Sequence, residues 1–270
     1  SPLPSVSLVP DRDHVAGVAA AVRVAAALVA ATAFAAPATV AAQGWSGTGE
    51  LGLAASRGNA RSENLNAKLA FANEDRQWKH DFHLAVLRAK GEAKGDFDGD
   101  GVAEERFELN ANRYEAAASS ALKVSERSSW LAALRYENDD FAPYSDQTTF
   151  AIGYGHQFLD SEATALRAEI GPGYRRATLA GTGETESGLI ARGKLDYRHR
   201  LTETTELVNT LLIEAGSDNR FAQNDFGVAV KINASFALKA GLQLRHNTEV
   251  EPGVEKTDSL TTVNLVYTFE

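Results

Sequence analysis

The closing stretch Thr261-Thr262-Val263-Asn264-Leu265-Val266-Tyr267-Thr268-Phe269 alternates between two kinds of side chain. Its odd-numbered positions are Thr, Val, Leu, Tyr and Phe, and its even-numbered positions are Thr, Asn, Val and Thr. Successive side chains of a β-strand point to opposite faces of the sheet. This period of two therefore predicts a strand with one apolar and one more polar face.

The same alternation recurs upstream, in segments of about ten residues separated by turn clusters of Gly, Asn, Asp and Ser. Between Leu109 and Tyr114 the apolar parity slips, which predicts a β-bulge. Twelve strands are predicted in all, an even number, and helical periodicity is scarce. They lie at 45–55, 62–73, 78–90, 105–122, 128–138, 147–158, 163–176, 187–200, 205–216, 225–238, 241–250 and 258–269.

The connections between these strands alternate in length. Tight turns are predicted near 74–76, 124–126, 160–161, 201–202 and 239–240, and mostly longer polar loops at 91–104, 139–146, 177–186, 217–224 and 251–257. Short turns at one end and long loops at the other are typical of outer-membrane barrels. We therefore predict an all-β fold, an antiparallel transmembrane β-barrel that occupies residues 43–270.

A soluble periplasmic sandwich or lipocalin-like barrel is the alternative fold, with its apolar face pointing inward. The less apolar face carries Gly, Ala, Thr, Asn and charges, which suits a wet or hydrogen-bonded lumen better than a packed core. Aromatic residues near predicted strand ends are placed where a membrane-interface girdle needs them. These residues are Trp45, Trp78, Trp130, Phe158, Tyr197 and Phe269.

The composition excludes several classes of function. The chain has 27 Lys plus Arg against 36 Asp plus Glu, a formal net charge of −9, which argues against nucleic acid as a partner. It contains no Cys, so disulfides, thiolate metal sites and a Cys nucleophile are excluded. Any metal must be held by oxygen or imidazole ligands.

The first 42 residues have the order of a secretory signal peptide. Arg23 precedes an uncharged run at 24–36, and the small-residue stretch 37–42 follows, with cleavage predicted after Ala42. The alternative is an uncleaved membrane anchor that spans 15–42, a stretch in which Arg23 is the only charged residue.

Four short motifs resemble the salt-induced outer-membrane protein family, also known as domain of unknown function 481. They are Gly44-Trp45-Ser46-Gly47, Ser56-Arg57-Gly58-Asn59 followed by Ser62 and Asn64, Gly171-Pro172-Gly173-Tyr174, and the last strand from Thr257-Asp258 to Tyr267-Thr268-Phe269. The resemblance covers 44–270. It implies a β-barrel in the outer membrane of a Gram-negative bacterium, in contact with its lipid and without an established activity. The last strand also resembles the signal read by the barrel-assembly machinery, except that Glu270 follows the aromatic Phe269.

Charged residues on the predicted lumen face comprise eight bases and five acids. A basic lumen favours the passage of small or ionic solutes, and of anions in particular. The alternative is that the charges form salt bridges that fill a closed barrel, as the spacing of two between Arg135 and Glu137 and between Arg167 and Glu169 suggests. The lumen set is Glu50, Lys68, Arg135, Glu137, Arg167, Glu169, Arg192, Lys194, Asp196, Arg198, Glu214, Lys231 and Arg245.

The loop 96–104 begins like a calcium-binding loop, with carboxylates at every second position and a Gly for the sharp turn. Its candidate ligands are Asp96, Asp98, Asp100 and Glu104. The twelfth position is Phe107 instead of a bidentate carboxylate, so the loop is not an EF-hand. The alternative is a solvated acidic loop, and no other cofactor is predicted.

The histidines do not point to catalysis. His80 and His83 lie three apart on a predicted strand, which places them on opposite faces and makes joint metal ligation unfavourable. No Gly-x-Ser-x-Gly nucleophile motif is present. We therefore predict a non-enzymatic barrel with porin-like passage or a solute-facing role in envelope or salt adaptation. The alternative function is a non-conducting structural or interaction barrel with a charge-plugged lumen.

Overall fold

The computed structural model describes residues 44–56, 62–97, 101–250 and 255–269. These residues form twelve antiparallel strands, and no helix among them is long and apolar enough to span a bilayer. The predicted signal peptide, at 1–42, lies outside the described residues. The strands are β1 Trp45–Ser56, β2 Ser62–Glu74, β3 Trp78–Gly95, β4 Glu104–Lys123, β5 Ser128–Asp139, β6 Tyr144–Asp160, β7 Thr164–Leu179, β8 Thr185–Arg200, β9 Thr205–Ala215, β10 Arg220–Lys231, β11 Phe236–Asn247 and β12 Thr257–Phe269.

Each strand pairs with its sequence neighbours, and β1 pairs with β12, so the sheet closes into a barrel. The prediction of an all-antiparallel twelve-stranded barrel is confirmed. The predicted bulge is also present, because the β3–β4 register shifts between Ala89 and Lys90 and leaves Asn110 without a register partner. We call one end of the barrel the turn end. It carries the short connections, the start of β1 and the end of β12. The opposite end is the loop end.

The prediction was wrong for the connection between β10 and β11. Residues 225–238 were expected to form one strand and Lys239-Ala240 a turn, whereas the chain turns at 232–235. The Asn233 side chain explains the difference, because its Oδ1 accepts the backbone N–H groups of Ser235 and Phe236, each at 2.9 Å. Such an Asx turn interrupts an alternation that the neighbouring apolar residues would otherwise continue.

The two faces of the barrel differ in chemistry. Large apolar side chains point outward and stay exposed, whereas the side chains buried in the lumen are mostly polar or charged. This is the reverse of a soluble barrel, whose lumen is packed with apolar groups. Outward exposed residues include Leu53, Phe82, Leu84, Trp130, Leu134, Phe150, Ile152, Ile170, Leu189, Val263 and Leu265.

The closing seam between β1 and β12 has five register pairs, which begin at Gly47↔Phe269. The ring of Phe269 lies over Gly47, so a Cβ at that position would collide with the ring and would lie 2.9 Å from the carbonyl oxygen of Ala70. Phe71 packs against the same ring, with the centroids 6.0 Å apart. A glycine is therefore required at position 47 for the last aromatic residue to cover the seam.

We expect Gly47→Ala to destabilise the barrel by about 1–3 kcal/mol, because the added methyl group overpacks the seam. Gly49→Ala is the matched control on the same face of β1, since its Cβ would make an ordinary 3.4 Å contact with Leu69. The temperature at which the folded band converts to the unfolded band in semi-native electrophoresis measures the effect. Equal conversion temperatures for the two variants would contradict this account of the seam.

Candidate functional site

The lumen is the candidate functional site, and the structure places the whole predicted set of charged residues on its inward face. Seven of the eight cations in this set lie within 4 Å of a carboxylate. The eighth, Lys231, is exposed at the turn-end rim, and Arg198 is also exposed at this rim. The lumen is therefore lined mainly by ion pairs rather than by free cations.

The most extensive of these contacts crosses the barrel near its loop end. Arg245 on β11 donates hydrogen bonds to Glu137 and, at 2.9 Å, to Asp139, both on β5. In the order of the twelve strands β5 and β11 are six positions apart, so they face each other across the lumen. The guanidinium of Arg245 therefore bridges opposite walls.

A second arginine extends this bridge. Arg135 on β5 donates to Glu137 at 3.0 Å and to Glu214 on β9 at 2.7 Å. The ring of Phe221 lies beside both guanidinium groups, with its centroid 5.1 Å from Arg135 and 5.2 Å from Arg245. We call Arg135, Glu137, Glu214 and Arg245 the loop-end network.

The loop-end network is almost completely removed from solvent. Glu214 is 0% and Glu137 1% exposed, and the aromatic ring of Phe221 is 1% exposed. Not every polar atom is satisfied, since Nε of both arginines and Oε1 of Glu214 have no hydrogen-bond partner among the described residues. A buried charged network that is incompletely paired is costly, because desolvation is not fully compensated.

Between this network and the turn end, the middle of the lumen contains a cavity of about 80 Å³. Two ion pairs line it, Lys68 with Asp225 at 3.2 Å and Lys239 with Glu50 at 2.7 Å. Asn264 joins the second pair by donating to Glu50 at 3.2 Å. The cavity is polar and large enough for a few water molecules.

A third group of lumen charges lies along β7, β8 and β9 towards the turn end. Glu169 accepts from Arg167 and from Arg192, each at 3.3 Å. Asp196 accepts from Lys194 at 2.7 Å and from the Thr210 hydroxyl at 2.9 Å. Two of these contacts lie within one strand and two join neighbouring strands, so the group lines one wall without crossing the lumen.

A further arginine ties an outer loop to the barrel. Arg175 on β7, which is 2% exposed, donates at 2.6 Å to Asp218 in the β9–β10 connection. Burial raises the pKa of the Asp218 carboxyl, but the hydrogen bond and the charge of Arg175, together with the backbone N–H groups of Asp218 and Asn219, hold that pKa below its usual value. The contact is therefore kept at neutral pH.

Some important lumen residues were missed by the sequence interpretation. Lys239 was assigned to a turn and Asp225 to the first position of a misplaced strand, because the turn at Asn233 was not recognised. Asp139 was assigned to the predicted loop 139–146, whereas in the structure it is the last residue of β5. The Asx-turn chemistry of Asn233 was the available signal, and it would have corrected the start of β11 and placed Lys239 on that strand.

Part of the predicted calcium loop lies outside the described residues, namely Asp98 and Asp100. Of the other two candidates, Asp96 accepts the backbone N–H of Gly101 at 2.8 Å and Glu104 accepts a hydrogen bond from Arg106 at 3.1 Å. Calcium binding stays a prediction, as does the absence of enzymatic activity.

The histidines lie where the alternation predicted. His80 points outward and makes a 3.0 Å hydrogen bond with Ser120, whereas His83 points into the lumen, 3.9 Å from Glu115. No group of three or more His, Asp or Glu arranged to hold a metal occurs within the described ranges.

Comparison with known proteins gives one family and several similar structures. A sequence profile described as "Protein of unknown function, DUF481" matches residues 49–269. The "Uncharacterized protein YdiY" of Escherichia coli (strain K12) is 25% identical over 218 residues, which cover 80% of each protein.

Among solved structures, the NanC porin has a TM-score of 0.46 at 8% identity and covers 84% of this chain and 99% of its own. The translocator domain of the autotransporter NalP from Neisseria meningitidis has a TM-score of 0.43 at 12% identity, with coverage of 83% and 87%. The KdgM porin has a TM-score of 0.41 at 10% identity, with coverage of 84% and 99%.

We expect Arg245→Met to destabilise the barrel by about 3–5 kcal/mol, because it leaves buried carboxylates without their cation. Arg198→Met is the matched control, since the Arg198 side chain is 67% exposed and its ion pair with Glu206 contributes about 0–1 kcal/mol. The free energy of unfolding in urea, measured in lipid vesicles, distinguishes them. Similar losses for both variants would show that the Arg245 contacts are weak in solution.

For Asp218 we expect a carboxyl titration midpoint below the ordinary value for aspartate, since Arg175 stabilises the charged form. The ion pair then persists as the pH falls, until the pH reaches this lowered pKa, and is lost below it. Arg175→Met should raise the midpoint. Carboxyl ¹³C chemical shifts followed against pH measure it, and an unchanged midpoint in the variant would refute the assignment.

Proposed function

The chain belongs to the DUF481 family of proteins of unknown function, and from that membership we propose a porin-like barrel of the Gram-negative outer membrane. In this proposal the loop-end network closes the passage through the barrel, and passage requires the network to open. The observation that carries the proposal is the bridge from Arg245 on β11 to Glu137 and Asp139 on the opposite strand β5.

The distribution of side chains supports a membrane location. The outward surface is apolar over the middle of the strands, and aromatic rings flank it near the turn end, as at Trp45, Trp130 and Tyr267. A bilayer accepts such a surface, whereas water does not. Export by a signal peptide at 1–42 and recognition of β12 by the barrel-assembly machinery complete the proposed route to the outer membrane.

The chemistry of the closure supports a gate. A barrel of twelve strands lies between small barrels that side chains fill and large barrels with open channels. Apolar side chains would close such a lumen at lower cost than buried charges, because they need no compensation for desolvation. Ion pairs with unsatisfied atoms, in contrast, gain hydration when they separate, so this closure can give way to a wet passage.

The alternative function is a structural or interaction barrel whose lumen never opens. The near-complete burial of Glu137 and Glu214 favours it, since the same network would then be a permanent plug. A gated barrel should conduct ions once the network opens, whereas a permanently plugged barrel should not conduct. A role in adaptation to salt also belongs to the proposal, and it rests on the family resemblance.

The decisive experiment compares conductance with and without the network. We expect the parent barrel in a planar bilayer to be mostly closed, and the variant Arg135→Ser, Glu137→Ser, Glu214→Ser, Arg245→Ser to show discrete open steps. The four substitutions remove two cations and two anions, so the net charge stays at −9. A salt gradient across the bilayer then gives the ion preference, expected to favour anions because Lys231 remains exposed at the turn-end rim.

The matched control is Lys94→Ser with Glu105→Ser, an ion pair whose side chains are 70% and 61% exposed. It should conduct like the parent. Glu137→Gln is a milder variant in case the fourfold variant does not give a heat-modifiable folded band. Large open steps in the parent would refute the closure, and silence from every folded variant would favour the permanent plug.

A further inference from the structure

One histidine faces the lumen, where the proposed gate does not use it. Of the five histidines in the described ranges, the other four point outward and hydrogen-bond to a serine or threonine hydroxyl. His83 on β3 points inward instead. An imidazole ordinarily gains its proton between about pH 8 and about pH 5, a range in which carboxylates, lysines and arginines keep their charges. His83 is therefore the lumen residue whose charge can change near neutral pH.

The carboxylate that faces this imidazole belongs to Glu115 on the neighbouring strand β4. Its Oε1 lies 3.9 Å from Nε2 of His83, and its side chain is 13% exposed. Other acids of the lumen wall, such as Glu50, Glu169 and Asp225, have a lysine or arginine nitrogen within 4 Å. Glu115 has none in the part of the chain that the structure describes, so its one possible cationic partner at this distance is His83.

Two arginines act on Glu115 from farther away, because other partners hold their guanidinium groups. Arg113 lies two residues away on the same face of β4 and donates across the lumen to Gln243 on β11. Arg135 is held by the two glutamates of the loop-end network. The charge of Glu115 is therefore only partly compensated while His83 is neutral.

A count of charges at the loop-end network and the residues beside it gives one acid in excess. Four acids stand against three arginines, so a protonated imidazole would make the two signs equal. The acids are Glu115, Glu137, Asp139 and Glu214, and the arginines are Arg113, Arg135 and Arg245. The charge of His83 thus decides whether this part of the lumen is anionic or neutral.

The remaining charges around His83 compensate one another in pairs. These are Lys68 on β2 with Asp225 on β10 at 3.2 Å, Lys194 with Asp196 on β8 at 2.7 Å, and Lys79 with Asp81 on β3 at 3.8 Å. Burial opposes a charge on the imidazole, and Glu115 favours it. The contact with Glu115 therefore makes a charged His83 acceptable inside the lumen.

We propose that His83 and Glu115 set the ion preference of the passage according to pH. This inference rests on the proposed function, because a barrel has an ion preference only when it opens. While His83 is neutral, the charge of Glu115 favours cations. Once the imidazole is protonated it compensates that charge, and the preference shifts towards anions.

The test measures the reversal potential of the open fourfold serine variant in a salt gradient, at about pH 8 and at about pH 5. We expect the ratio of anion to cation permeability to rise about twofold at the lower pH, the effect of one charge acting at close range through water. His83→Gln in the same background should remove most of this rise. His80→Gln should keep it and is the matched control, because His80 lies on the same strand and points outward.

Glu115→Gln tests the other partner of the pair. Without this carboxylate, the preference should already be shifted towards anions by about twofold at about pH 8. Glu137→Gln replaces the fourfold variant as the open background if the latter does not give a heat-modifiable folded band.

A second measurement does not depend on conduction. The free energy of unfolding in urea, measured in lipid vesicles for the parent, His83→Gln, Glu115→Gln and the double variant, gives the coupling between the two side chains. We expect coupling at about pH 5 and none at about pH 8, because only the protonated imidazole pairs with the carboxylate. Absence of coupling at both pH values would overturn the proposal, whether or not the barrel conducts.

The gate and this pair fail in different ways. Open steps whose ion preference is the same at both pH values, or changes equally in His83→Gln, refute the role of His83 and leave the passage intact. Silence from every folded variant refutes the passage and, with it, any ion preference set by His83.

Discussion

Closure of the sheet is the constraint on which the rest of this structure depends. A strand at the edge of an open sheet leaves its backbone N–H and C=O groups unpaired, and within a bilayer no water is present to satisfy them. The β1–β12 seam removes both edges, with Phe269 covering Gly47. Once the ring is closed, every second side chain must point into the lumen and every other one to the outside.

Inside the ring, that alternation brings charges from distant parts of the chain into one small volume with little water. Arg245 and Glu137 are 108 residues apart in sequence and meet because β11 and β5 face each other. Charges in such a place must be paired, because desolvation would otherwise cost several kcal/mol for each ion. In the proposed function, the paired network holds the lumen closed and restricts what passes through it. This connection between pairing and passage is the physical basis of the proposed gate.

Outside the ring, the exposed apolar surface is not uniform. The small side chain of Ala132 lies between larger aromatic and aliphatic side chains, among them Trp130 and Ile152, and leaves a depression there.

Alternation and turn residues in the sequence were sufficient to determine the number of strands, the bulge in β4 and the inward or outward direction of most side chains, because these are local properties of an extended chain. They failed at Asn233, where a side chain ended a strand that hydrophobicity alone would have continued, and Lys239 was misplaced as a result. The sequence could also list lumen charges, and the pairs two residues apart on one strand were open to inference. Only the tertiary structure decided that Arg245 reaches Glu137, that Phe221 lies between two guanidinium groups and that Ala132 forms the floor of a groove. Those contacts depend on which strands face or flank each other around the closed ring, and no local pattern encodes that geometry.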